Sequence, residues 1–540
     1  MRFTFITLTC LAGLATANAA GAQATGPSSS QSPYVTPKAP GWSVVSLITA
    51  GDSAKKHPYL MVGIPDGLGA LAGKFEEGKY VSDKSYMTVF MNHEIPAGGG
   101  IIRAHGANGS FVSQWTVHLN SLEVRSGEDL IHQVFAWDAA TAGYVFATPT
   151  TQFNRFCSAD LPASTAFYNP RTGNGFRGRL FMNGEESGFE GRAFAHVLAG
   201  VEKGNTYQLP YLGRMSWENS VAHPNAGDKT IVMADNDSTP GQVFMYIGDK
   251  RRFGNPVERA GLVGGDLFGI KVTNGGVNYG GAAVRRENNG PILAGTFAPV
   301  AVSAHVNLAT GAGAALQADS NTAGVTLFAR PEDGAWDPAH PNVYYFVTTG
   351  ATVNGKWQWA RLYKLTFASI TNPAAGGTID MIVDAGSVPR IGGEVPPQIA
   401  MFDNITIDSR GHVIAQEDPG GNTYLAKIWD VDPATKTAVE IFESDSARFG
   451  AGGSITTDEE NSGVIEVTSL VKRARWYESG RRYYLSDMQA HNPIVGELYE
   501  GGQLYLIASP RVQGRGSDDD DDRDDRHDDG DRHDGDERED

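Results

Sequence analysis

FDNITIDSRGHVIAQED, residues 402–418, reads as two antiparallel strands joined by the turn Asp408-Ser409-Arg410-Gly411. Its second half, VIAQED, runs apolar residues straight into an acidic pair. The same pattern recurs as VFMNHE (89–94), LFMNGEE (180–186) and IVMADND (231–237). Further β-rich runs, among them VYYFVTTG (343–350) and YYLSDMQAH (483–491), are bounded by Gly, Asn, Asp and Pro turns. The repeat is irregularly spaced, which fits blades with insertions better than a tight solenoid. Chains of this kind close radially, leaving only short protected edges, so the expected fold is an all-β propeller. It is expected to fill residues 41–510 as one domain. Two stretches are less clear: 127–143 admits a helical turn or two, and GRAFAHVLAG (191–200) is ambiguous.

The ends of the chain bound its setting. Met1-Arg2 precedes a short apolar run and small residues up to Ala20, the pattern of a secretory signal peptide. A secreted or periplasmic location follows, and no later run is long enough to span a membrane. Removing residues 1–20 removes Cys10 and leaves Cys157 as a lone thiol, so no intramolecular disulfide can form. Residues 21–40 read as a flexible Ser/Gly/Pro-rich lead. The tail, 511–540, is expected to be disordered and solubilising: from Asp518 on it holds 15 acidic residues and four arginines. Eleven of the 18 net negative charges therefore sit in the tail. The body is only mildly acidic, which argues against nucleic acid as a partner. A monomer acting on a small molecule is expected.

If the recurrent runs are the innermost strands, their acidic ends converge on a central channel. The candidates are Asn92-His93-Glu94, Glu185-Glu186, Asp235-Asn236-Asp237 and Glu417-Asp418, joined by Arg330-Pro331-Glu332-Asp333 and Asp403-Asn404. Two unit charges about 4 Å apart interact by about 4 kcal/mol at an effective dielectric near 20. Such a ring is stable only if it is protonated or holds cations. Oxygen-rich sites suit Ca²⁺, and an added thiolate or imidazole shifts the preference toward a transition metal. Glu185 and Glu186 are neighbours, so they can share a site only past the end of their strand. Glu190 reads as surface.

Rival signatures fail. His93-Glu94 is followed by Pro96 and Ala97, which breaks the H-E-x-x-H zinc helix. Gly173 to Gly178 spells G-x-G-x-x-G, but it precedes a strand rather than opening a helix. No G-x-S-x-G nucleophile elbow occurs. His105, His196 and His223 are isolated.

The order of motifs resembles the PhoX-type alkaline phosphatases, a family of secreted bacterial proteins. It is carried by Asn92-His93-Glu94, the Cys157 segment, Gly184-Glu185-Glu186, Gly213-Arg214-x-x-x-Glu218, AGLVGGDLFGIKV (260–272), Arg330-Pro331-Glu332 and residues 402–418. The resemblance spans about residues 55–495. It implies a six-bladed propeller whose polynuclear centre of Ca²⁺ and Fe³⁺ hydrolyses small phosphomonoesters. By position, the implied metal-site residues are Glu94, Glu185, Glu186, Glu332, Glu417 and Asp418. Two positions depart from the family: Gly184 stands where relatives carry Cys, and Trp217 where they carry His. Two other readings stay open on the residues alone, a non-catalytic calcium-stabilised propeller and a lactonase-like hydrolase.

Overall fold

Six strands, each packed on the next, close a ring: Pro65–Ala72, Phe156–Asp160, Trp217–Ala222, Pro331–Trp336, Phe402–Ile407 and Glu459–Glu466. The structure is a computed structural model. It describes residues 22–512 apart from 77–78, 275–293, 354–355, 359, 386–398 and 423. Each ring strand is the inner edge of a blade whose innermost strands pair antiparallel, and the blades are numbered one to six in chain order. Blades three and four are hydrogen-bonded into one nine-stranded sheet through their outer strands and Ala294–Val302. The propeller expected from the repeat is the fold observed.

The six recurrent runs are second strands, not the innermost ones, which corrects that expectation. Tyr86–His93, Leu180–Glu185, Lys229–Asn236, Val343–Thr348, Val413–Glu417 and Tyr483–Ile494 each pair with an inner strand ahead of them. Second strands are covered by blades on both faces, so they show the longest apolar runs. Inner strands crowd the axis, so they carry small and polar residues. At Gly67 a Cβ would lie 2.3 Å from the Ala159 amide nitrogen, and at Gly463 it would lie 2.8 Å from the Asp66 carbonyl. Glycine is what lets neighbouring blades approach at these points.

Blade six closes the ring with strands from both ends of the chain. Ser43–Thr49 pairs with Tyr499–Ala508, the third strand of that blade. The lead is structured in part, contrary to expectation. Ala22–Thr25 runs parallel to Ser43–Thr49, and Val35–Pro37 is the outer strand of blade five. Tyr34 and Trp42 anchor the lead by packing on Phe449, Phe442 and Tyr484. Its polar composition hides this because edge strands are held mainly by backbone bonds. Residues 127–143 contribute the end of Glu123–Asp129, the strand Gln133–Asp138 and the following turn, and 191–200 contains Ala193–Val197. The expected signal peptide, residues 1–20, and the acidic tail from residue 513 lie outside the described residues. No helix among the described residues is long and apolar enough to cross a membrane.

Arg481 pins the closure. Its guanidinium donates to the Ser509 carbonyl (2.6 Å), the Gly41 carbonyl (2.9 Å) and Ser43 Oγ (3.1 Å), tying both ends of the chain together. Arg481→Ala should lower unfolding free energy by about 1.5–3 kcal/mol, the range for hydrogen bonds to a charged group. Denaturant unfolding checks this.

Candidate metal centre

The second residue of every inner strand belongs to one central cluster. These residues are Asp66, Cys157, Glu218, Glu332, Asp403 and Glu460, one from each blade. In five blades the register shifts immediately after the first inner residue, which pairs as Pro65 with His93, Phe156 with Glu185, Trp217 with Asn236, Pro331 with Thr348 and Phe402 with Glu417. Such a bulge unpairs one residue and re-aims its side chain. A second set comes from the residue just past each partner: Glu94, Glu186, Asp237, Thr349, Asp418 and His491. Alternation along the strand explains why this residue faces the axis while the one before it does not.

Three groups of side chains could each hold an ion. They are Asp66–Glu94–Cys157, Glu218–Glu332–Asp403 and Asp403–Asp418–Glu460, with ligand atoms within 4.8 Å of one another in each. The first contains the thiol, with Cys157 Sγ 3.5 Å from Asp66 Oδ2, and the other two offer oxygen alone.

Positive charge at the hub comes from Arg155, Arg330 and His491. Arg155 pairs with Glu94 at 2.6 Å and also with Glu186. Arg330 holds Asp237 through both oxygens (2.9 and 2.8 Å) and reaches Glu332 at 3.1 Å. His491 donates to Glu500 at 2.8 Å and faces Glu460 at 3.6 Å. Burial opposes its charge, but these carboxylates outweigh burial and raise its pKa to about 11. Both arginines take left-handed backbone conformations (φ 51° and 59°) directly ahead of inner strands. Non-glycine residues in such conformations cluster at functional sites.

Three cations do not balance nine carboxylates. Burial, then neighbouring carboxylates, pushes Asp66, Glu218 and Asp403 far above the usual acid range, and Glu332 likewise despite Arg330. The Cys157 thiol is raised by burial and then by Asp66. Asp66 Oδ1 and Asp403 Oδ1 are buried without any hydrogen-bond partner. Uncompensated buried carboxylate oxygens are costly unless they meet a cation. The donor set therefore fits bound metal. Its oxygen-only groups suit calcium, and its thiol-containing group suits a transition metal.

A layer of hydrogen bonds floors the hub. Ser158 donates to Glu218 Oε1 at 2.8 Å and accepts from Asn404, linking blades two, three and five. Farther along the inner strands the axis opens into a separate cavity of about 270 Å³ that Asp160 and Asp333 face.

Of the residues singled out in the sequence, Glu94, Glu186, Glu332 and Asp418 come together here. Glu185 and Glu417, one residue earlier on their strands, point away. Glu185 is closed by Arg192 (2.6 and 2.7 Å) and the Asn154 and Arg192 amides. Glu417 Oε1 accepts from the Ala400 amide and the Trp429 indole. Glu190 is exposed, as expected; it pairs with Arg214 and accepts from the Gly313 amide at the start of the helix Ala312–Ala323. Gly184 faces blade three, where a Cβ would lie 2.3 Å from the Trp217 Cβ, and the thiol at the hub is that of Cys157. Asp66 and Glu460 were not singled out in the sequence. One signal was present, an acid followed by Asn, in WENS (217–220), FDNI (402–405) and EENS (459–462).

A closed ring of six blades with an axial cluster of carboxylates and one thiol defines an all-β propeller with a candidate metal centre. Residues 202–468 match the family described as Alkaline phosphatase PhoX, and the chain belongs to that family. Among solved structures, Pseudomonas fluorescens PhoX in complex with vanadate is similar over 91% of this chain and 98% of its own, at 12% identity and TM-score 0.57. The calcium structure of Trichoderma reesei family AA12 is far more distant, with TM-score 0.28 at 11% identity over 78% of this chain and 99% of its own. A comparison with curated proteins finds no match.

The raised carboxyl pKa values fix a pH dependence. Folded, metal-free protein binds more protons than the unfolded chain, so this contribution to stability is complete at low pH and is lost as pH rises. Glu417, raised to about 8 by burial, and Asp160 and Asp333, each raised to about 7, set the upper end of the window. The melting temperature of chelated protein should fall as pH rises from about 4 to about 8, and calcium should flatten that fall. Glu185→Gln should cost about 1–3 kcal/mol, as a buried polar group left incompletely paired does, while leaving metal content unchanged by elemental analysis.

Proposed function

We propose that this protein is an exported, metal-dependent phosphomonoesterase whose metals are held by the axial cluster. The observation that carries the reading is the surplus of buried carboxylates over cations at a hub to which every blade contributes. In this reading Cys157, Asp66 and Glu94 hold an iron ion, and the oxygen-only groups hold calcium. Bound cations would supply Lewis acidity, drawing charge from the phosphoryl oxygens and activating an oxygen nucleophile. They would also invert the local charge, which lets an acidic site accept an anion.

The chain's own residues do the positioning. Arg155, with 45% of its side chain exposed, is the guanidinium that meets an incoming phosphate, in a geometry suited to paired oxygens. Arg330 is held by Asp237 and Glu332, so it orients two carboxylates and brings positive charge to their side of the hub. Ser158 orients Glu218 from below, and Thr349 Oγ1 donates to Glu332 Oε1 at 2.6 Å. Both bonds leave the second oxygen of each carboxylate available for an ion.

Purified protein should hydrolyse an aryl phosphate, lose activity on chelation, and regain it with Ca²⁺ plus iron. Vanadate, described as a transition-state analogue in the Pseudomonas fluorescens complex, should inhibit competitively. Glu218→Gln should lower activity by more than the about 10–100-fold that outer partners of metal ligands are worth. Cys157→Ser should lower iron more than calcium. Full metal occupancy without turnover on any phosphomonoester overturns the reading.

A further inference from the structure

Gln489 stands between two of the three acidic groups and touches both. It is fully buried in blade six, directly across from Glu460. Its Nε2 lies 3.0 Å from Asp66 Oδ2, 2.8 Å from Glu94 Oε2 and 3.2 Å from Glu460 Oε1. Its Oε1 is buried with no hydrogen-bond partner. An amide nitrogen carries two protons, so three carboxylate oxygens share two donors.

The corresponding positions of other blades show what is unusual here. Asn92 in blade one and Gln416 in blade five occupy the same place on their second strands, one residue before the partner of the first inner residue. Each reaches to the following blade and donates to a backbone carbonyl there: Asn92 to Cys157 at 2.5 Å, Gln416 to Ser462. Those amides satisfy neutral groups and tie blades together. Gln489 makes the same reach, from blade six to blade one, but finds carboxylates from both.

Three carboxylate oxygens converging on one point is the arrangement a divalent cation takes. Calcium would draw such oxygens to about 2.3–2.6 Å, whereas the amide holds them several tenths of an ångström farther out. The amide offers only a partial positive charge, so it leaves most of the negative charge of Asp66, Glu94 and Glu460 for ions on either side. We propose that Gln489 is a neutral divider: it occupies a cation position between the thiol-containing group and the Asp403–Asp418–Glu460 group, and so sets how many ions the centre holds. This rests on the metal-centre reading above.

Two variants test it, Gln489→Glu, which keeps the shape and adds a carboxylate, and Gln489→Ala, which empties the position. Each full-length protein is dialysed against calcium chloride, checked for native near-ultraviolet circular dichroism, and analysed for calcium and iron per chain. The expected result is one more calcium per chain in Gln489→Glu, and in Gln489→Ala where that variant folds, with iron unchanged. The same ion count in Gln489→Glu as in the wild type overturns the proposal, as does an ion lost from Gln489→Ala with none gained in Gln489→Glu. A wild-type chain that holds no ion overturns the metal-centre reading, and the divider falls with it. Ions in the wild type with no gain in the variants overturn only the divider.

Discussion

Like charges forced together at the axis are the constraint from which the rest of this structure follows. A closed ring of six inner strands brings one residue per blade to a common centre, and five of the six are carboxylates. In water they would repel weakly. Buried, Asp66, Glu218, Glu332 and Asp403 have their proton affinity raised first by loss of water and then by neighbouring carboxylates. A fold can carry such a cluster only if its carboxyls are protonated or cations are held there. Arg155, Arg330 and His491 supply part of the positive charge, and the candidate metal centre offers places for more.

The scaffold is built to hold that cluster together. Bulges after the first inner residue turn the ligands inward, glycines such as Gly67 and Gly463 let the blades approach, and strands from both ends of the chain seal blade six. Backbone bonds and apolar packing between second strands bear the cost of the strained arginine conformations and the repulsion at the hub. Stability is gathered in the blades and set against a centre that is unfavourable when empty, a distribution expected where a site is shaped for its ligand.

Family membership and the local chemistry meet at Cys157. In the sequence, Gly184 looked like the place of a missing thiol. The structure shows that position turned against Trp217, in the interface with blade three, while Cys157 occupies the second position of the blade-two inner strand. The thiol thus sits where the other five blades place a carboxylate. One soft donor among hard oxygens makes the groups chemically unequal, which is a basis for holding two kinds of metal.

The recurrent apolar runs ending in acids determined the propeller, because the pattern of one blade must repeat in each blade that closes the ring. They also exposed Glu94, Glu186 and Asp418, since a carboxylate just past a strand is visible from sequence alone. Tertiary structure decided the rest. Whether Glu185 or Glu186 faces the axis depends on a single step of strand register, and alternation reverses the answer with each residue. Asp66 and Glu460 lie on inner strands without a long apolar run, so nothing in the local pattern marks them. The closed ring brings together side chains 423 positions apart, Asp66 and Gln489. No local pattern records such a contact, because it exists only once the ring has closed.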